Sequence, residues 1–219
     1  MLDELAKKDI EKISFDILSQ SKSIDVFPTP VDQLLSYSNL VLNHQVDLST
    51  VHESFYQKAS IRFKQAMGKI RGFLDRREKV IFLDLSVKMN RQNFVKLHEI
   101  GHEVLPWQGA TLQFVDNDET LDIEVKELFE AEANFFASVT LFQHDRFESK
   151  IDNLPLDINS SFHLAKQFGA SIHATLRRYV ECSKKRCSLL VLKDVSSKGQ
   201  LPVCSVRDYF QSSSFSKDF

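Results

Sequence analysis

Hydrophobic positions at the start of the chain follow a helical spacing. They predict one helix over residues 2–20 and a second over residues 30–43, which Thr29 and Pro30 would open as N-cap and first helical residue. A third helix is predicted over residues 52–70. The beginning of the chain is therefore predicted to be helical.

The apolar pattern then shortens to the length of β-strands. Phe73 and Leu74, a polar turn over residues 75–78 and the apolar run 80–85 together predict a β-hairpin. The run 80–85 would offer an exposed edge that accepts an extended peptide by strand addition, or it would be a core strand. Both interpretations can hold together, because the edge and the core face are different surfaces of a strand.

Two longer helical patterns follow. One spans residues 91–105, with Asn90 as its N-cap and Pro106 as its stop, and the other spans residues 121–142. Between them, residues 105–120 have the composition of a long polar connection. Such a connection would serve as the rim or lid of a cleft, or simply as a solvated loop.

Further along, two short helices are predicted within residues 161–179. The turn between them contains Gly169, and Ser171 would cap the second helix, which is the pattern of a helix-turn-helix. Residues 161–187 are locally basic, so DNA contact is conceivable. A helical pair packed on the preceding domain is the simpler interpretation, and we expect no direct DNA binding.

Residues 188–192 and 203–207 predict two short strands. Because two strands alone are rarely stable, they would pair with another sheet or begin a further domain that the chain truncates. The pattern thus divides the chain into three predicted parts. Residues 1–150 form the main domain, 151–187 a helix-turn-helix-like region and 188–219 a short β segment.

Composition narrows the possible classes of protein. The chain has 219 residues, of which 42% are hydrophobic, enough to bury a core in one or two domains. Its net charge of −2 argues against general affinity for nucleic acid. The N-terminus is too charged for a signal peptide, and no stretch has the apolar length of a membrane span. The 3 cysteines, all late in the chain, disfavour a disulfide framework, so we expect a cytoplasmic protein.

His98, Glu99 and His102 form a His-Glu-x-x-His motif within the predicted helix 91–105. Residues four apart lie on one face of a helix, so both imidazoles can bind the same metal ion. Glu99 lies about 100° further around the axis, where it can act as a general base on a water molecule beside the metal. Gly101 costs helix propensity, and we interpret it as a point of close approach for another element or a substrate. The pattern is typical of zinc peptidases. The alternative is that the motif binds no metal and consists of two surface histidines beside an ordinary glutamate.

A catalytic zinc site normally uses three protein ligands, so a third must come from elsewhere. Glu130 is favoured because small alanines surround it and because Asn134 follows one turn later. The Asn134 amide could orient a ligand histidine without binding the metal itself. Glu132 is the competitor, facing about 200° away on the same helix, where we expect a surface acid.

The blocks 71–85, 94–107 and 129–142 together resemble the ImmA/IrrE family of zinc metallopeptidases. Members of that family show a strand, a His-Glu-x-x-His helix preceded by an aromatic residue, and a later helix with a Glu-x-Glu-Ala-Asn-x-Phe-Ala pattern. The resemblance spans residues 30–145 and is far more specific than the metal motif alone.

This resemblance implies an α+β fold. The zincin-like domain would combine a small mixed sheet with the His-Glu-x-x-His helix and the glutamate helix, and the helix-turn-helix-like and β segments would follow. The cofactor would be zinc, or manganese if loading is permissive, with His98, His102 and Glu130 as ligands and Glu99 as catalytic acid and base. One departure is the sequence of residues 141–144, which we expect at the floor of the cleft.

The expected function is that of a zinc-dependent endopeptidase. The resemblance implies a helix-turn-helix transcriptional repressor as substrate, cut to switch on stress-response or mobile-element genes. The alternative is a regulatory protein that binds DNA or a repressor and keeps a structural or vestigial metal site. The intact Glu99 favours the enzyme, because a structural site has no use for this carboxylate. Tyr56, His173 and Arg178 are open candidates for stabilising a tetrahedral oxyanion.

Overall fold

The computed structural model describes residues 2–49, 71–115, 122–198 and 201–217. Within these ranges the chain has an α+β fold, as predicted, and divides into two compact units, Met1–His144 and Asp145–Phe219. The predicted helix over residues 52–70 lies outside the described residues. The domain boundaries predicted at residues 150 and 187 stay predictions.

The first unit contains a three-stranded sheet and several helices. Its described elements are, in chain order, α1 (Glu4–Gln20), α2 (Val31–Tyr37), β1 (Val41–Asp47), β2 (Gly72–Asp75), β3 (Val80–Leu83), α3 (Met89–Val104), α4 (Pro106–Val115) and α5 (Ile123–Phe142). The strand order is β1-β3-β2, with β3 parallel to β1 and antiparallel to β2. The predicted hairpin is therefore confirmed. Of the two interpretations of its second strand, the structure shows the core strand and not the exposed edge, because β3 is central. β1 and β2 are the two edges among the described strands.

The helix predicted over residues 30–43 is too long. Pro30 occupies the N-cap position, α2 ends at Tyr37, and Asn39 has a positive φ of 55°, which ends the helical path. The following residues form β1, which the helical spacing concealed.

The histidine helix begins slightly earlier than predicted, at Met89 with Lys88 as its N-cap. Leu105 is extended, with φ −77° and ψ 105°, as expected for a residue that precedes proline. Pro106 then begins α4, so the predicted polar connection is helical from Pro106 to Val115. A proline that ends one helix can open the next, because the first helical position needs no N–H donor.

Helix α3 lies close to both the sheet and α5, and two glycines permit these approaches. A Cβ at Gly101 would lie 3.2 Å from the Cα of Ala133 and 3.1 Å from Cδ1 of the buried Phe136, both on α5. A Cβ at Gly72 on β2 would lie 2.3 Å from Cγ1 of Val95 and 3.1 Å from Oε1 of Glu99. The interpretation of Gly101 as a point of close approach is confirmed, and the approaching element is α5.

The C-terminal end of α5 is tied to the N-terminal part of the chain. Gln143 caps the helix in the left-handed conformation, and its fully buried side chain accepts a hydrogen bond from the Asp25 N–H at 2.8 Å. The same amide donates to the carbonyl of Val26 at 2.8 Å and to Oγ1 of Thr29 at 3.1 Å. Residues 141–144 therefore connect α5 to the N-terminal segment, and the floor of the cleft, where we expected them, is formed by other residues.

The second unit consists of short helices and one β-hairpin. Its described elements are α6 (Asp145–Ile151), α7 (Ile158–Phe168), α8 (Ile172–Cys182), β4 (Ser188–Lys198), β5 (Leu201–Gln211) and α9 (Ser213–Ser216). Gly169 ends α7 with φ 67°, and Ser171 caps α8 by accepting a hydrogen bond from the Ala174 N–H, as predicted. β4 and β5 are longer than predicted, and no third strand joins them in the described chain. Each described helix is too short or too polar to traverse a lipid bilayer.

Replacing Gly101 by valine should lower the free energy of unfolding by about 1–3 kcal/mol, because the added side chain overpacks the contact with α5. Urea denaturation measures the effect. Gly109→Ala on α4 is the matched control, since the nearest atom to its added Cβ would be Arg76 Nη1 at 3.9 Å. We expect that control to keep or slightly raise the stability. Equal losses in both variants would contradict the close-packing argument.

Candidate metal centre

Three side chains converge at one end of a cleft in the first unit. His98 and His102 project from consecutive turns of α3, and Glu130 reaches them from α5. The Nε2 atoms of the two histidines are 3.0 Å apart. Glu130 Oε2 lies 3.3 Å from His98 Nε2, and Glu130 Oε1 lies 3.5 Å from His102 Nε2. One possible ligand atom from each residue lies within 4.8 Å of the others.

These distances fit a tetrahedral metal ion. Zinc binds histidine nitrogen and carboxylate oxygen at about 2.0–2.2 Å, which places neighbouring ligand atoms about 3.3 Å apart in a tetrahedron. The observed separations of 3.0, 3.3 and 3.5 Å lie close to that value. Two imidazoles and one carboxylate are also a donor set that zinc accepts, with a fourth position left open.

Glu99 lies beside this cluster and is more deeply buried than Glu130. Its side chain is buried, and it lines the same cleft as the two histidines. Burial raises the pKa of Glu99, while His98, His102 and Arg76 lower it and Glu130 raises it further. The balance leaves the pKa above its ordinary value. A carboxylate with a raised pKa is a stronger base than an exposed one, so it is suited to accept a proton.

Glu130 and His102 shift each other's pKa in opposite directions. Hydrogen bonds that the rings of His102 and His98 donate when they carry a proton on Nε2 hold the pKa of Glu130 well below its ordinary value, although burial opposes that shift. Burial lowers the pKa of His102, but its interactions with Glu130 and Gln108 outweigh burial and leave the pKa raised. Glu130 is therefore a carboxylate anion in this setting, which is the form that binds a metal.

Glu132 has a different environment from the one we expected. It is only 5% exposed, so the prediction of a surface acid is wrong. Its Oε2 accepts hydrogen bonds from Trp107 Nε1 at 2.8 Å and from Gln108 Nε2 at 2.7 Å, both on α4. The expectation of opposite faces is met, since Glu130 faces the histidines and Glu132 faces α4.

Asn134 lines the cleft one turn beyond Glu130 and is exposed there. Its role in orienting a histidine stays a prediction. The side chain that contacts the far side of a ligand imidazole is Gln108, whose Oε1 lies 2.8 Å from His102 Nδ1.

The cleft has a volume of about 480 Å³ and runs between β2, α3 and α5. Three arginines line it, Arg71, Arg76 and Arg91. Arg76 extends from the hairpin turn and donates a hydrogen bond from Nη2 to the carbonyl oxygen of His102 at 2.5 Å. Arg71 pairs with the buried Asp84 at 2.7 Å. The cleft lining thus combines these arginines with the carboxylates of Glu99 and Glu130.

The three oxyanion candidates from the sequence stay untested. Tyr56 lies outside the described residues. His173 and Arg178 belong to the second unit, where His173 Nε2 lies 3.0 Å from Asp208 Oδ2. Sequence reasoning did not single out Arg76 or Gln108. The signal that could have found Gln108 is Pro106, because proline is common at the first position of a helix. A helix that begins at Pro106 contains Gln108 and follows directly on the histidine helix.

Comparisons with known proteins found one matching family and a similar solved structure. The model of a family described as Peptidase_M78, IrrE N-terminal-like domain, matches residues 57–179. A solved structure described as a Mycobacterium tuberculosis transcriptional regulator has a similar fold, with a TM-score of 0.51 and 13% sequence identity. The similarity covers 90% of this chain and 55% of that one, so the chain spans little more than half of that protein's length. No curated protein matches the chain.

Replacing Glu130 by glutamine should weaken zinc binding strongly, because an amide oxygen carries no charge to offset that of the ion. Chelator competition measures the affinity. Glu127→Gln is the control, since Glu127 is an exposed acid on the same helix, one turn earlier. It should change the affinity by less than about threefold. Similar affinities in the Glu130→Gln and wild-type proteins would exclude Glu130 as a ligand.

Proposed function

The chain belongs to the IrrE N-terminal-like family of M78 peptidases, and from that premise we propose that it is a zinc-dependent endopeptidase. Its substrate in this proposal is a helix-turn-helix transcriptional repressor, whose cleavage switches on stress-response or mobile-element genes. Manganese is a second metal that the same ligands would accept.

One observation carries the proposal. His98, His102 and Glu130 form a donor set with the spacing of a tetrahedral zinc site, and the buried carboxylate of Glu99 lines the same cleft. A structural zinc site is normally closed by four protein ligands. Three ligands beside a general base and an open cleft therefore favour hydrolysis over a purely structural role.

The chain's own residues divide the chemistry between them. A divalent ion held by His98, His102 and Glu130 would supply Lewis-acid polarisation and would lower the pKa of water to about 7. Glu99 accepts the proton of the attacking water on its carboxylate and then donates it to the nitrogen of the leaving amine. Gly72 supports this role, because a side chain there would crowd Glu99 Oε1.

Peptide binding is supported by the position of β2. This strand is one of the two edges of the described sheet, and its residues Gly72, Phe73 and Leu74 line the cleft. An extended peptide would pair with the β2 backbone and lie along the cleft past Glu99. The strand-addition hypothesis thus moves from the central strand β3 to β2.

The proposal of a repressor as substrate is based on the family resemblance, which implies a role in transcriptional regulation. The solved structure with the similar fold is described as a transcriptional regulator, and at 13% identity it supports a shared fold only. The regulatory substrate is accordingly our proposal.

The alternative function is a regulatory protein that binds DNA or a repressor through residues 161–187. The local excess of basic residues favours it. Several of those residues have partners within the second unit. Arg177 pairs with Glu181 at 2.8 Å and lies over the ring of Phe210, and Lys184 pairs with Asp152 at 2.6 Å. These contacts support packing of the helical pair more than binding to phosphates.

Glu99→Gln should retain zinc and fold but lower the cleavage rate by about 10²–10⁴-fold, because it removes a base and leaves the ligands intact. Co-expression with helix-turn-helix repressors encoded near the gene, followed by detection of fragments, measures cleavage. Glu103→Gln on the same helix is the control, since Glu103 pairs with Lys79 outside the cleft. Full activity in Glu99→Gln would end the proposed mechanism.

We expect no binding of the whole chain to duplex DNA at physiological salt, because its net charge is −2 and Arg177 and Lys184 are paired. A gel-shift titration over several salt concentrations measures this. A submicromolar shift would favour the alternative function if it weakened steeply with salt and disappeared in a protein carrying Arg177→Ala and Lys184→Ala.

A further inference from the structure

We propose that Gln108 and Glu132 are positioning residues for His102: they fix its imidazole with the proton on Nδ1 and the lone pair of Nε2 directed at the metal site. The inference rests on the proposed function only in that Nε2 is taken to bind a metal. Sequence reasoning assigned neither residue a role.

The direction of every hydrogen bond in this group follows from chemistry. Gln108 Nε2 lies 3.2 Å from the carbonyl oxygen of Phe129 and 2.7 Å from Glu132 Oε2. Both partners are acceptors, so the NH₂ end of the Gln108 amide must face them. The opposite end, Oε1, therefore faces His102 Nδ1 at 2.8 Å. A carbonyl oxygen can only accept, and so Nδ1 of His102 carries the proton.

Glu132 locks the amide in this orientation. The carboxylate is 5% exposed and Gln108 is fully buried, so water cannot replace their contact. A flipped amide would turn its oxygen towards the Glu132 carboxylate and towards the Phe129 carbonyl, and each of these contacts would be repulsive. Trp107 Nε1 donates to the same Glu132 oxygen and satisfies the carboxylate from a second direction.

The consequence appears at the other nitrogen of the ring. A neutral imidazole with its proton on Nδ1 presents a lone pair at Nε2. This atom lies 3.0 Å from His98 Nε2 and 3.5 Å from Glu130 Oε1, within the cluster. Arg76 also holds the main chain of His102 through its carbonyl oxygen. His102 is thus fixed at its backbone and at its ring before any metal arrives.

Glu130 and Glu132 therefore act on opposite ends of the same imidazole. Glu130 faces Nε2 directly, and Glu132 acts on Nδ1 through Gln108. This arrangement explains why two acids on nearly opposite faces of α5 both serve one site. It also gives α4 a function, because Trp107 and Gln108 belong to that helix.

The experiment measures the tautomer of His102 and the zinc affinity separately. Nitrogen-15 NMR of the metal-free protein, at a pH where the ring is neutral, reports which nitrogen carries the proton. Chelator competition reports zinc affinity. In the wild-type protein we expect the Nδ1–H tautomer. Gln108→Met removes both hydrogen bonds at similar length, so we expect a mixture of tautomers and an affinity about 10- to 100-fold lower.

Two further variants separate positioning from general loss of structure. Glu132→Gln keeps an oxygen that accepts from Gln108, so it should preserve the tautomer and rescue most of the affinity that Glu132→Met loses. Trp107→Phe removes a bond to Glu132 but leaves the Gln108 contacts, and it should change affinity by less than about threefold. Thermal unfolding of the metal-free proteins shows whether each variant is folded.

A wild-type protein with the proton of His102 on Nε2 would overturn the proposal, whether or not the variants fold. A folded Gln108→Met protein with unchanged tautomer and unchanged zinc affinity would also overturn it. A wild-type protein that holds the Nδ1–H tautomer but binds no zinc would instead contradict the proposed function and support the hydrogen-bond assignment. The two failures are therefore distinguishable.

Discussion

The site depends on how closely α3 approaches its two neighbours. Gly101 brings the backbone of α5 against the helix, and Gly72 brings β2 against the opposite side, next to Val95 and Glu99. Because protein interiors are close-packed, a carbon added at either contact would require the neighbouring atoms to shift. A shift at Gly101 would act on α5, which carries Glu130, and a side chain at Gly72 would crowd Val95 and Glu99. The positions of the candidate ligands and of the strand proposed to bind a peptide thus depend on one packing constraint.

Three glutamates in and around the site have the same side chain but three different environments. Glu99 is buried beside the cleft and has a raised pKa, which suits proton transfer. Glu130 is largely exposed and is held as an anion by two histidines. Glu132 is buried and satisfied by two N–H donors. Their surroundings, which the fold determines, suit them to the three proposed roles of base, metal ligand and anchor of Gln108.

The sequence predicted the parts of this protein that depend on local spacing. The pairing of His98 with His102 follows from one helical turn, and the hairpin of β2 and β3 follows from apolar runs around a polar turn. The order of the strands could not be predicted and the burial of Glu132 was predicted incorrectly, because both depend on elements distant in the sequence. The helix from Pro106 was missed because proline was treated only as a stop. Gln108 could not be assigned a role until that helix was known.

The anchoring of Gln143 has a consequence for where the protein can be divided. The family match begins at residue 57, whereas the partners of the Gln143 side chain, among them Asp25, Val26 and Thr29, precede that point. A polypeptide that started with the matched region would lack these partners and would lose packing at the end of α5, the helix that carries Glu130. The start of the sequence match thus cuts through one packed part of the first unit. A fragment meant to keep the end of α5 in place would therefore have to include the segment around residues 25–29.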